Sequence, residues 1–211
     1  MGPRPKLTAV LDAPRVPSVD EFARARLPTR HGEFELVSFV DRAGKKLDDF
    51  AIVRGDVMGA ERVPVRVHSE CVTGDVLGSL RCDCGEQLQH ALAELGMAPV
   101  GAILYLRQEG RGIGIANKVA AYALQDGGLD TVEANLHLGF DDDLRTYEIA
   151  GCMLRALGIA RVELITNNPR KVDGLRARGI EVLRRIPIVI PPRPENASYL
   201  RTKRDRSGHD L

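Results

Sequence analysis

The sequence of 211 residues has almost no net charge, since Lys and Arg balance Asp and Glu to within a formal +1. A chain with no surplus of basic residues lacks the electrostatic footprint that bulk nucleic acid or an anionic membrane requires, so neither is expected as a partner. It also lacks any apolar run near the ~20 residues needed to span a bilayer. Its amino terminus has no apolar signal core, which makes the reducing cytoplasm the expected compartment. Internal repeats and low-complexity tracts are missing. Cysteine is scarce, at 4 residues, and nothing marks a secreted disulfide scaffold.

Three of those 4 cysteines nevertheless crowd into one stretch, Arg66 to Gly85, RVHSECVTGDVLGSLRCDCG. Arg81, Asp83 and Gly85 frame Cys82 and Cys84, which is not how cysteines that merely fill an apolar core are surrounded. A disulfide within Cys-x-Cys is geometrically awkward. Thiolates are good zinc ligands. Cys71, Cys82 and Cys84, with no obvious fourth partner, leave a coordination position for water, whose pKa on zinc falls to about 7 in favourable sites. His90 would close the site as a Cys3His centre. It falls, however, near the edge of an apolar helical stripe formed by Leu88, Ala91, Leu92 and Leu95, and reads as a partly exposed helix residue. His68-x-Glu70 matches the first half of the zinc nucleobase deaminase pattern, but the second half, P-C-x-x-C, is missing.

Residues 1–25 are rich in Pro, Arg and Ala without clear periodicity and read as a loose extension. Strands are expected at Glu33–Val40, from Ala51, and at Val63–Val67, the last delivering His68 and Glu70 to the cysteine loop. A helix from Gly85 to Leu95 precedes a continuous apolar strand, Val100–Leu106. Arg107–Gly114, RQEGRGIG, then opens a helix that runs to about Gln125 and is stopped by Gly127 and Gly128. A glycine-rich turn between strand and helix can bring backbone N–H groups to a phosphate. Its spacing fits neither the dinucleotide fingerprint nor the P-loop, so solvated charges on a tight turn account for it equally well. Tyr122 falls on the general face of Val119 and Ala123, as a core tyrosine with a satisfied hydroxyl would.

Asp141, Asp142 and Asp143 precede a helix carrying Ile149, Cys152, Met153, Ala156 and Leu157. Acidic residues there complement free N–H groups, and Cys152 reads as core. The strand Arg161–Ile165 leads into Thr166–Lys171, where Pro169 suits a first helical turn. That corner offers N–H groups, a hydroxyl and a cation to an anion. The last strands are expected at Ile180–Leu183 and Ile186–Ile190, and residues 195–211 as a mobile polar tail. Alternating strands and helices imply a single α/β domain over 26–211, a mixed sheet between helical layers in three layers.

RVHSEC, TGD, SLRCDCG and RQEGRGIG, followed by NK, AYALQD, DTVEAN, LGF, DLR, LITNNPRK and YL, TK and GH near the end, resemble GTP cyclohydrolase II over about residues 27–209. The resemblance implies hydrolysis of GTP to formate, pyrophosphate and a diaminopyrimidine, the first step of riboflavin synthesis. It implies one zinc per subunit on Cys71, Cys82 and Cys84, magnesium with the triphosphate, and a homodimer. Arg66, Val67, His68, Ser69, Glu70, Gln87, Glu109, Gly110, Arg111, Thr131, Thr166 and Lys171 match its GTP-binding positions. In that reading Glu109 accepts from a guanine edge and Arg111 pairs with phosphate. Tyr122 becomes an active-site tyrosine, and Glu70 and Tyr122 stand as acid–base candidates by position. Asp143 takes the part of general base and Arg145 that of nucleophile toward the α-phosphate. A guanidinium is always protonated, so stabilising transition-state charge suits Arg145 better. The alternatives are a family variant that stops at the formylated pyrimidine, a zinc-dependent purine deaminase, and a non-catalytic zinc-stapled nucleotide-binding protein.

Overall fold

The computed structural model describes residues 18–208. Strands β1 (Val19–Thr29), β2 (Gly32–Asp41) and β3 (Lys46–Arg54) form an antiparallel meander. Asp41 closes the turn between β2 and β3 by accepting the N–H groups of Ala43 and Lys45. Strand β3 pairs antiparallel with β5 (Gly101–Leu106). Strands β4 (Val63–Ser69), β6 (Arg161–Ile165) and β7 (Glu181–Ile186) extend the sheet in parallel, in the order β1-β2-β3-β5-β4-β6-β7.

Period-2 alternation sorts the side chains onto two faces. On one, Val63, Val65, Val67, Ala102, Leu104 and Leu106 join Met153 and Leu154 of α5 (Glu148–Ala156) and Leu175 of α6 (Pro169–Arg176) in the larger core. On the other, Ile52 and Ile103 pack with Leu88, Ala91 and Leu95 of α2 (Cys84–Met97). The sheet therefore lies between helical layers, as expected. Because β4 places its valines on the first face, Arg66 and His68 emerge on the second, both buried.

Three expectations change. Residues 18–25 of the expected loose extension lie within or beside β1; residues 1–17 are outside the described residues. Strand β1 escaped notice because it is a sheet edge, exposed at all but Val19 along its first half, and tolerates Pro28 there. The two strands expected after Ile180 are one, β7. Pro187 has no N–H for a ladder, and the backbone of Ile188 is instead satisfied on both sides by the Asn167 amide. Most of the expected tail, Ala197–Ser207, is helix α7.

Candidate active site

The parallel strands β4, β5 and β6 end on the same side of the sheet, where open α/β sheets bind ligands. After β4 comes the cysteine loop with the short helix α1 (Val72–Asp75); after β5 comes a 3-10 turn, Glu109–Gly112; after β6 comes the Thr166–Asn168 corner. Helix α3 (Gly114–Asp126), α4 (Thr131–His137) and α7 wall this end. The result is two adjoining clefts that share Ser69, Cys84, Arg111, Arg145 and Tyr199.

The first cleft holds the thiols. The Sγ atoms of Cys71, Cys82 and Cys84 lie within 4.8 Å of one another, with Cys71 and Cys82 at 3.6 Å. Tetrahedral zinc–thiolate bonds of about 2.3 Å put ligand sulfurs roughly 3.8 Å apart, so the cluster fits a zinc ion. His90 is half exposed and faces Glu94 rather than the thiols. Hydrogen bonds from Cys82 and Cys84, and the Lys118 ammonium, hold Cys71 far below the usual thiol range. Cys82, bonded to Cys71, is pushed up to about 11, and Cys84 rises as well. One thiolate beside two thiols is the expected sharing of protons in such a cluster.

Lys118 sits 3.1 Å from Cys71 Sγ and 2.7 Å from Glu109 Oε1. Burial opposes its charge, but Glu109 and Cys71 outweigh burial and keep it protonated. Glu109 also accepts from Val72 N–H and Gly110 N–H, each at 2.6 Å. Its carboxylate is thus largely occupied within the protein, which narrows its capacity to read a base edge. Glu70 lines the same cleft and accepts from Arg107 Nε at 3.0 Å; burial raises its carboxyl above the ordinary range. Tyr122 meets Thr73 through its hydroxyl at 3.2 Å, and burial raises it too. It shares its buried helix face with Lys118, Ala121 and Gln125, not with Val119 and Ala123, which are exposed. Thr131 lines the cleft from the start of α4.

The glycines of RQEGRGIG have a definite task. Gly110 and Arg111 both adopt left-handed backbone, φ 62° each, and Gly112 follows at φ 94°. Arg111 is the sole non-glycine with positive φ among the described residues. A bulky residue in that region is strained, and such strain concentrates at functional sites. It turns the Arg111 side chain to the boundary of the two clefts, with Nη1 donating to Asp142 O at 3.1 Å.

The second cleft is lined by cations: Arg66, Arg111, Arg145, Lys171 and Lys203. Lys171 is buried, donates to Val67 O at 2.6 Å, and is held well below the usual lysine range by burial and then by Arg66, Arg145 and Lys203. Val67 contributes its carbonyl, because its side chain is in the core on the opposite face. Arg66 donates to Ile165 O at 3.0 Å and to Gln87, and its Nε is buried without a partner. His68 is kept neutral by burial and bonds Asp75 through Nε2 at 2.9 Å, leaving Nδ1 unpartnered. Thr166 caps its own corner, its Oγ1 accepting from Asn168 N–H at 3.0 Å. Ser69 accepts from Gln108 at 3.0 Å.

Arg145 faces both clefts, while Asp143 stands behind it. The carboxylate takes a bidentate pair from Arg145, Nε at 2.8 Å and Nη2 at 2.7 Å. Burial would raise Asp143, but Arg145 prevails and holds it below the usual range. A carboxylate so engaged orients the guanidinium and is a weak base.

The sequence assigned no role to Asp75, Tyr105 and Lys118, although the TGD and NK motifs contain the first and the last. Asp75 accepts from Cys71 N–H at 3.0 Å and Tyr105 Oη at 2.8 Å in addition to His68, tying the first thiol to both strands. The TGD motif contains it, but its partners follow from the pairing of His68 with Tyr105 across β4 and β5. The NK motif, with its lysine one turn before Tyr122, was the available signal for Lys118.

Fold and site define a three-layer α/β protein with a thiolate cluster of metal-binding type opening onto a cationic cleft. A family model for GTP cyclohydrolase II matches residues 20–187, and the chain belongs to that family. The GTP cyclohydrolase-2 of Picrophilus torridus is 51% identical over 191 residues, covering 90% of this chain and 98% of that one. The GTP cyclohydrolase-2 of Proteus mirabilis is 52% identical over 189 residues, covering 90% and 94%. Riboflavin biosynthesis protein RibBA of Endomicrobium trichonymphae is 51% identical over 193 residues, but this chain spans 48% of that relative's length. No helix among the described residues is long and apolar enough to cross a membrane.

Proposed function

We propose that the chain hydrolyses GTP at the guanine imidazole ring and between the α- and β-phosphates, releasing formate and pyrophosphate and leaving a diaminopyrimidine for riboflavin synthesis. One observation carries the reading: three clustered thiols open onto a cleft in which Arg66, Arg111, Arg145 and Lys171 converge. The first half suits zinc chemistry on the base and the second suits a triphosphate with its magnesium.

Cys71, Cys82 and Cys84 would hold a zinc ion, which would supply a Lewis acid able to lower the pKa of water toward neutrality. Around it the protein moves protons. Glu70, raised by burial, takes and returns them at the cleft wall. Tyr122, kept protonated by burial, donates a hydrogen bond to the base. Lys118 and Glu109 keep Cys71 and the α1 turn in place. Lys171, Arg66 and Arg111 hold phosphate oxygens, and Arg145, aimed by Asp143, stabilises charge on the α-phosphate rather than attacking it. Gln87 holds Arg66, and Thr131, Thr166, His68, Ser69 and Gly110 complete the walls. The enzyme works in the cytoplasm as a homodimer.

The test is product analysis after incubating the purified protein with GTP and magnesium, measuring formate, pyrophosphate and ammonia together. Formate and pyrophosphate in equal amounts, with no ammonia, are expected. Pyrophosphate alone means the reaction stops at the formylated pyrimidine, ammonia means a deaminase, and no product means a binding protein; each overturns the proposal.

A further inference from the structure

Asp83 stands between Cys82 and Cys84, is 1% exposed, and lines neither cleft. It occupies the N-cap position of α2, where an aspartate ordinarily turns its side chain back onto the first N–H groups of the helix. Here it makes no such cap. Its carboxylate turns instead toward α7, where the buried Lys203 ammonium lies 2.9 and 3.2 Å from its two oxygens. Gln87 donates to the same carboxylate at 2.5 Å and in turn accepts from Arg66, which donates to Ile165 O. A buried polar chain therefore runs from the last helix, through the residue between two thiols, to β4 and β6.

A buried ion pair is tolerated when its remaining polar atoms are satisfied, and losing one partner leaves an uncompensated charge. Without Lys203, the Asp83 carboxylate would be a buried anion directly beside three sulfurs that must share negative charge. We infer that Lys203 is a positioning residue for the metal centre. Through Asp83 it fixes the Cys82–Cys84 turn so that both sulfurs face Cys71, and it balances the charge of the loop. Tyr199, one helical turn earlier, walls both clefts, so the same helix reaches the site twice. The inference rests on the proposal that the three thiols hold zinc.

The experiment uses full-length wild type, Lys203→Met, Lys203→Arg, Asp83→Asn, the Lys203→Met/Asp83→Asn double variant and Cys82→Ser. Zinc affinity is measured by chelator competition, and each protein loaded with Co2+ is read by its thiolate-to-metal charge-transfer spectrum. Residues that orient metal ligands typically cost 10–100-fold in metal affinity when lost. Lys203→Met and Asp83→Asn should each lose at least about tenfold and shift the cobalt spectrum. Lys203→Arg should recover most of the loss, and the double variant should be no worse than either single one. Wild-type affinity and spectrum in Lys203→Met overturn the inference; should that variant not fold, the same result in Asp83→Asn does so. Failure of the wild type to bind zinc, or unaltered binding by Cys82→Ser, would instead defeat the three-thiolate reading on which it rests.

Discussion

Around the thiols most charges have a counter-charge: Lys118 faces Glu109, Arg107 faces Glu70, and Arg81 faces Asp126. A few ångströms away, Arg66 and Lys171 hydrogen-bond only to neutral groups, while Arg145 and Lys203 stand beside them with their carboxylates on the far side. The first cleft is largely charge-paired and depends on fixed geometry. The second stores repulsion between like charges at low solvent exposure, which a polyanion relieves. The two halves should therefore fail in different ways.

The largest effect is expected from Cys82→Ser. Formate release should fall by about a thousandfold or more, on the order of 4 kcal/mol in activation free energy, with bound zinc lost. GTP affinity should change by less than about threefold, because the cationic cleft is untouched. If GTP affinity collapses with the metal, as titration calorimetry would show, the two clefts are not separable. Next in size is Arg145→Ala, which removes a donor preorganised by Asp143. Pyrophosphate release should drop by roughly 10²–10³-fold, the usual loss for such a donor, with zinc content unchanged. Asp143→Asn should reproduce part of that loss, and a pH–rate profile that keeps its acidic limb in Asp143→Asn would confirm that Asp143 orients Arg145 and is not the base. Lys171→Met should raise KM about tenfold, near 1.4 kcal/mol, with little change in kcat at saturating GTP.

The same contrast explains what the sequence made legible. The thiolate cluster was readable because metal ligands close in sequence leave a spacing, and Cys82-x-Cys84 after Cys71 can be built by one loop. Lys171 and Thr166 were readable as a corner because strand, turn and Pro169 are contiguous. What pairs with them was not. His68 meets Tyr105 and Asp75 through the register of β4 against β5, and Asp83 meets Lys203 across most of the chain. Such partners are set by topology, and no local pattern announces them. Polar residues around Lys203 read as tail for the same reason: mean polarity conceals a single lysine whose ammonium is buried. The edge strand β1 failed the alternation test because it is exposed on both faces along most of its length, although its backbone pairs with β2 on either side of a bulge at Phe22.

The smallest expected effect probes the buried, cation-flanked Lys171 itself, without GTP. Lys171 is held below the ordinary lysine pKa of about 10.4 in the folded state, chiefly by burial and then by Arg66, Arg145 and Lys203. Between its folded pKa and about 10.4 the unfolded chain binds a proton that the folded chain does not, so stability rises with pH across that window. Below the folded pKa both states carry the proton, and the penalty is constant and at its maximum. The contribution is bounded by one proton, at most about 1.4 kcal/mol per pH unit. Denaturant unfolding at a series of alkaline pH values should show this rising component in the wild type and lose it in Lys171→Met. A saturating triphosphate should also suppress it, since an anion among the cations favours the protonated lysine and returns its folded pKa toward the unfolded one. An unchanged pH slope in Lys171→Met would mean that folding does not depress the pKa of Lys171. The cationic cleft would then hold its charges without the strain inferred for it, and the contrast between the two halves would rest on geometry alone.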